Sequence, residues 1–383
     1  MKIAIIGHKR IPSNEGGIEK GVEQHAVRMA ARGHQVDVYN RGGVDKYSKE
    51  GGHRLKEYKG VRIITIPTFQ NQKLNAFVYS LLATIRAAFG RYDVVSYRAS
   101  GPCAMIGLAH LLGMKCVASL HGIDSQRSKW GGFASRYLRF GEKTAATKAD
   151  ALMVLSRNMQ DYIKREYGRD SILFYNGVDR PQLLPAKEIR ERFGLKRDSY
   201  ILYLSRIVPE KALHVLIEAY RGVQTDKKLV IAGGADNPAY LQQLKDMAAD
   251  DDRILFVGYA TGSLVGELYS NAYMFTLPSN LEGMSNSLLE AMSYGNCCFL
   301  SDIPENMEPA GDHAAYFHAG DVNDCRVKLQ ELLDNPDRIA RMKKEAADYI
   351  LDKYSWDGAV DLTLAVYQRV VDAGKVNGER AQA

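Results

Sequence analysis

Disulfide chemistry has no foothold in this chain. Its five cysteines, Cys103, Cys116, Cys297, Cys298 and Cys325, are odd in number and lack metal-ligand spacing, so buried free thiols are expected instead of a cross-linked scaffold or a zinc site. No apolar run can span a bilayer: the longest, Leu74 to Phe89, is interrupted by Asn75, Ser80 and Arg86. Met1-Lys2 leads directly into IAIIG with no cleavage site behind a long apolar region, so no signal peptide is expected and the protein is placed in the cytosol. There is no repeat of solenoid length and no low-complexity segment. The loop after the first strand lacks GxGxxG, which argues against a nicotinamide site.

What is there is an ordinary globular balance, 46% apolar and 25% charged, over 383 residues, a length that favours two cores over one. The modest net charge of +6 conceals an asymmetry. Residues 1–180 carry 29 Lys/Arg against 15 Asp/Glu (+14), and residues 181–383 carry 22 against 30 (−8). A basic first half suggests contact with a polyanion or an anionic membrane surface.

Apolar β-rich runs alternate with amphipathic helical ones, the pattern of βαβ units and parallel sheets. Strands are expected at Lys2–Ile6, Gln35–Tyr39, Val61–Ile66, Asp93–Ser96, Lys115–Leu120, Ala151–Leu155 and Ile172–Tyr175, then at Tyr200–Leu204, Lys228–Ile231, Ile254–Val257, Tyr273–Leu277, Cys297–Leu300 and Ala315–Phe317. Between the first two, Ile18, Val22, Ala26 and Met29 line one helix face, and Gly33 supplies a left-handed cap. The turn-rich Asn176-Gly-Val-Asp179 followed by Pro181 and Pro185 marks a boundary between two doubly wound domains.

Glu282 and Glu290 stand eight residues apart in LPSNLEGMSNSLLEAMSYG, beyond the carboxyl end of a buried strand, where ligands of open α/β sheets bind. A turn through Gly283 and a helix opening at Ser285-Asn286-Ser287 offer N–H groups to a phosphate, and the carboxylates suit sugar hydroxyls. Ser287 to Glu290 also fits a capping box, in which Glu290 binds no ligand. Gly16-Gly17 at a helix start admit close approach of a ligand, or simply form a turn. His121 at a strand end can donate to a sugar hydroxyl or a phosphate. Arg206 and Lys211 beside a helix start near Pro209 are unfavourable unless an anion is shared, as a diphosphate would be. Asp250-Asp251-Asp252 reads as a solvated turn, so no metal is expected. Residues 125–148 interleave Arg127, Lys129, Arg136, Arg139, Lys143 and Lys148 with Trp130, Phe133, Tyr137 and Phe140, which suits either an interface with anionic lipid or a core with solvated cations.

Gly16-Gly17, His121-Gly122, Asn176-Gly-Val-Asp179, Ser205-Arg206…Lys211, Phe256-Val-Gly258, Glu282-x7-Glu290, Ser301-Asp-Ile-Pro-Glu305 and Tyr354-Ser-Trp356 together resemble the retaining glycosyltransferases of family four. The resemblance implies an α/β GT-B fold, two Rossmann-like domains with an inter-domain cleft: residues 1–178 on the acceptor side, 179–355 for the nucleotide-sugar donor, 356–372 as a helix crossing back, and 373–383 as an unstructured tail. It implies that Glu282 contacts the donor sugar, Glu290 the ribose, Arg206 and Lys211 the diphosphate, and Gly16-Gly17 the diphosphate from the other domain, with His121 beside the transferred sugar. Ser285, Asn286 and Ser287 complete the donor set; Arg127, Lys129, Trp130 and Arg136 face acceptor or membrane. The implied reaction moves a sugar, with retention and without metal or cofactor, from a UDP- or dTDP-sugar to a saccharide acceptor that is lipid-linked, as in capsular or exopolysaccharide synthesis at the inner membrane face. Nucleic acid is not an expected partner. A sugar-nucleotide epimerase or phosphorylase of the same architecture, or a non-catalytic binding module, are the alternatives. The chain departs from common members in Lys211-Ala212, where Lys-Gly is usual, and in Gly283-Met284-Ser285, where Gly-Phe-Gly is usual.

Overall fold

The computed structural model describes residues 1–13, 16–42, 55–68, 72–122 and 132–382, without the side chains of 72–74, 132–133 and 374–382. The chain divides into two compact units, Met1–Asn176 with Trp356–Ala383, and Gly177–Ser355.

The first unit is built on a sheet of eight strands: β1 (Lys2–Ile6), β2 (Gln35–Arg41), β3 (Glu57–Tyr58), β4 (Val61–Ile66), β5 (Val94–Arg98), β6 (Cys116–Leu120), β7 (Ala151–Val154) and β8 (Ile172–Leu173). Their order is β3-β4-β2-β1-β5-β6-β7-β8, parallel except for the antiparallel β3 at the edge. The central strands are apolar on both faces because helices cover both, and Ile3 to Ile6 are wholly buried. The edge strand β3 went unread in the sequence. Two residues, one charged and half its ladder unpaired, carry no periodic signal.

The helix Gly17–Ala31 buries Val22, Ala26 and Met29, and Gly33 follows at φ +82°. The final helix, Trp356–Gln382, belongs to the same unit. Arg32 ties the two helices together through Asp357 and Asp361, each at 2.8 Å, while Trp356 sits edge-on to His25 at 5.7 Å. That helix corrects one expectation: the backbone from residue 373 to Gln382 is helical where an unstructured tail was anticipated. Its Ala, Lys, Glu, Arg and Gln are strong helix formers and no proline interrupts them.

The second unit holds six parallel strands: β9 (Tyr200–Leu204), β10 (Lys228–Ala232), β11 (Ile254–Gly258), β12 (Met274–Leu277), β13 (Cys298–Ser301) and β14 (Ala314–Phe317). The order β11-β10-β9-β12-β13-β14 reverses direction between β9 and β12. The loops leaving those two strands therefore diverge to opposite faces, opening the crevice in which ligands of doubly wound sheets bind. All five cysteines are buried and unbridged. Burial pushes the Cys297 and Cys325 thiols up to about 12, so these two are unreactive at neutral pH.

Candidate active site

The crevice of the second sheet is built from two loops stitched together. After β9 the chain passes Ser205 and Arg206, forms a 3-10 turn at Pro209–Lys211 and enters the helix Leu213–Arg221. After β12 it passes Pro278, Ser279 and Asn280, and the Asn280 N–H donates to the Glu210 carbonyl at 2.9 Å. Gly233 lets the β10 loop lie against the first of these, since a Cβ there would meet the Ser205 carbonyl oxygen at 1.8 Å. The Arg206 carbonyl accepts from the buried Tyr203 hydroxyl at 2.9 Å.

Within this frame Lys211, only 7% exposed, ion-pairs through Nζ with Glu282 Oε1. The Ser279 hydroxyl donates to the same carboxylate oxygen at 2.7 Å, and Ser301 in turn donates to the Ser279 carbonyl. Two sequence-predicted residues 71 positions apart are thus brought into direct contact. Such a buried pair is held in one geometry, because removing either partner leaves a desolvated charge alone. Arg206 is more open: its side chain is 41% exposed, and its nearest acid is Asp236 at 3.8 Å.

The helix after Glu282 runs Asn286–Ser293, and its N-cap is Ser285, whose hydroxyl accepts from the Leu288 N–H at 3.4 Å. Capping at Ser285 places Glu290 in the second turn, so the capping-box alternative for Ser287 and Glu290 does not hold. Ser287 is close to the cap, its hydroxyl 3.0 Å from that of Ser285. Tyr269 hydrogen-bonds Glu290 and reaches the Ser287 carbonyl at 3.3 Å; burial first, and then the Glu290 charge, hold its phenol well above the usual range. Tyr294 stacks on Tyr269 at 5.2 Å. Sequence reading missed both tyrosines, since nothing in their spacing links them to Glu290.

The departures at two motif positions have local explanations. Ala212 adopts φ +48°, ψ +34°, a left-handed conformation that glycine takes freely and alanine takes at a cost of about 1–2 kcal/mol. Ser285 has an ordinary extended backbone, φ −81°, so glycine is not required there and serine adds the cap.

In the first unit, Gly16 is the extended N-cap of Gly17–Ala31. A Cβ on it would lie 2.7 Å from the Glu19 carboxylate, whose other oxygen accepts the Lys9 N–H at 3.1 Å. The backbone at 16 is extended, which any residue adopts, so a side chain there would displace only the flexible end of Glu19. His121, 7% exposed at the end of β6, packs edge-on to Phe174 at 5.8 Å. Arg98, at the end of β5, is fully buried, and among the described residues no carboxylate pairs with it. Its Nη2 lies 3.4 Å from the Tyr367 hydroxyl, its guanidinium 5.9 Å from the Phe174 ring, and Nε and Nη1 have no hydrogen-bond partner among the described residues. Burial lowers His8 to about 4, and burial together with the Arg98 charge lowers His25 to about 3, so both are neutral at pH 7. Sequence reading ended that strand at Ser96 and did not single out Arg98. Arg127, Lys129 and Trp130 lie outside the described residues. Arg136 is exposed on the helix Gly132–Lys148.

Residues 15–181 match the profile of Glycosyltransferase Family 4, and residues 185–349 that of Glycosyl transferases group 1. The chain belongs to glycosyltransferase family 4. A GDP-mannose-dependent alpha-(1-6)-phosphatidylinositol monomannoside mannosyltransferase of Mycolicibacterium smegmatis is 26% identical over 373 residues, 90% of this chain and 93% of the relative. Among solved structures, sucrose-phosphate synthase of Thermosynechococcus elongatus has a TM-score of 0.82 at 18% identity, across 97% of this chain and 99% of its own. Anabaena HepE, solved with UDP and glucose, has a TM-score of 0.79 at 17% identity, across 96% and 100%. This family 4 member therefore has the GT-B fold.

Among the described residues one cluster of this transferase has metal-ligating atoms in reach of one another: His110, Cys116 and Asp150, within 4.8 Å. It lies at the amino ends of β6 and β7, the end of the first sheet opposite His121. Asp150 Oδ2 already accepts the Cys116 N–H at 2.6 Å and contacts His110 Nε2 at 3.1 Å, so the carboxylate serves as a strand cap.

Proposed function

We propose that this glycosyltransferase uses a nucleoside-diphosphate sugar and transfers the sugar, with retention and without a metal, to a hydroxyl of a lipid-linked saccharide at the inner membrane face. The observation that carries the reading is the buried Lys211–Glu282 pair, with Arg206 earlier on the same loop, in the crevice between β9 and β12. Cations there meet charge that grows on the β-phosphate as the anomeric C–O bond breaks, so they stabilise the transition state more than the bound donor. Glu282 accepts from sugar hydroxyls, Glu290 from the ribose, and the first turn of Asn286–Ser293 adds N–H dipoles.

In the reaction the acceptor oxygen bonds to the anomeric carbon on the face from which the diphosphate leaves. The acceptor proton passes to the departing phosphate oxygen, giving a glycoside and a nucleoside diphosphate, and no protein base is consumed. His121 orients the sugar, and it need not carry charge to do so. UDP- and dTDP-sugars are the donors to test first, although the mycobacterial relative is named for GDP-mannose.

The test is the anomeric configuration of the product by NMR, with and without chelator. Retention and chelator-insensitive turnover are expected; an inverted product or activity abolished by chelation would overturn the proposal. Glu282→Ala should abolish transfer, and donor consumption without acceptor would indicate an epimerase.

A further inference from the structure

The helix Gln72–Ala88 poses a question that catalysis leaves unanswered. Its inner face buries Tyr79, Ala83 and Ala87 against the first sheet. Its outer face is apolar as well: Phe77, Leu82 and Ile85 are exposed, and Phe89, just beyond the helix, is 81% exposed. At about 100° per residue these four fall within an arc of roughly 140°, bordered by Arg86. A helix apolar all round is ordinarily covered on every side, yet this outer side is open.

The neighbouring helices continue the surface. Phe77 packs edge-on to Tyr137 of Gly132–Lys148 at 5.7 Å, and the same helix exposes Phe140 to 58%. Leu111, at the end of Ile106–Leu111, is 85% exposed. Seven of the twelve large apolar side chains exposed among the described residues, Leu112 included, thus lie on or beside three helices that pack on one another. Charge on the same helices has a single sign. Arg86, Arg136, Arg139, Lys143 and Lys148 are exposed, whereas Gln72–Ala88 and Ile106–Leu111 contain no acid at all. The one acid of Gly132–Lys148, Glu142, is buried and accepts the Tyr162 and Tyr167 hydroxyls at 2.8 Å.

We propose that this face of the first unit docks on an anionic bilayer surface, the apolar side chains entering the headgroup boundary and the cations meeting lipid phosphates. An apolar patch alone would suit any apolar partner. The exposed charge carried by these three helices is all positive, with Asp150 the acid just past the end of one, and this selects a negatively charged partner; no helix of the described residues is long and apolar enough to cross the membrane instead. The inference deepens the proposed function by naming the partner of its lipid-linked acceptor, but it needs no donor to be tested, so either can fail alone.

The full chain is sedimented with phosphatidylcholine vesicles with and without about 30% phosphatidylglycerol, and partitioning should be at least roughly tenfold stronger on the anionic vesicles. High salt should weaken it. Phe89→Ser with Phe140→Ser, both exposed and so tolerated by the fold, should lower binding by about tenfold or more. Arg86→Glu with Lys143→Glu should erase the preference for anionic lipid. Equal binding to both vesicle types, no binding, or binding unchanged in the Phe pair would overturn the proposal. Concentration-dependent self-association that the Phe pair abolishes, without vesicle binding, would assign the face to a second copy of the chain.

Discussion

The most telling residues are those whose burial makes no sense for stability alone. Lys211 and Glu282 are nearly dry and pair with each other, an arrangement that apolar residues of the same volume commonly match or better. Lys211→Met should therefore cost about 3–5 kcal/mol, because Glu282 is left as a buried lone charge. Adding Glu282→Gln should restore most of that stability without restoring transfer, which urea unfolding and a donor-consumption assay would show. A single variant as stable as wild type would mean the pair is not closed in solution. Next to Lys211, Ala212 at φ +48° stores strain that Ala212→Gly should release, raising stability by up to about 1 kcal/mol in the same unfolding experiment. A loss there would contradict the left-handed geometry. Residue identity was legible at this scale and pairing was not: Lys211, Glu282 and Glu290 stand out by type and by position after strands, but contacts across 71 residues leave no trace in spacing.

At the scale of elements, the sequence was informative wherever burial imposes a pattern. The central strands were legible because both faces are covered, which forces apolar runs such as IAII in β1 and LVIA in β10. Helix starts were less so. Ser285 and Ser287 are equally good caps by type, and only the backbone decides in favour of Ser285. Ser285→Ala should then cost about 1 kcal/mol while Ser287→Ala costs a few tenths, as thermal unfolding would reveal; the reverse order would place the helix start two residues later. The last helix escaped notice beyond residue 372 because its glycines argue for coil while its remaining residues favour helix.

At the scale of the whole molecule, charge and protonation set the conditions of use. The +14 first half and the −8 second half follow the two roles proposed, a basic unit for an anionic surface and an acidic one in which a few cations are concentrated at the diphosphate. Acid should unfold the first unit through His8 and His25. Their folded values of about 4 and about 3 lie below the ordinary 6.5, so the unfolded chain binds more protons in that window. Stability is therefore fully present above pH 6.5 and falls as pH drops toward 4, each histidine contributing a slope of about 1.4 kcal/mol per pH unit. Urea midpoints recorded from pH 7.5 to 4.5 should follow this slope, and His25→Phe should reduce it by about half, leaving the His8 contribution; a pH-independent midpoint would contradict the burial of both rings.

The central claim is that Arg206 and Lys211 receive the leaving diphosphate, and it is tested most directly by calorimetric titration of nucleoside diphosphate into wild type and Arg206→Ala. Arg206 is exposed enough for its removal to leave the fold intact, so any loss reports on the ligand. The account predicts that the diphosphate binds at least roughly tenfold more weakly to the variant, with the nucleoside monophosphate much less affected, in keeping with loss of a charge-assisted contact. Equal diphosphate affinity in the two proteins would contradict it.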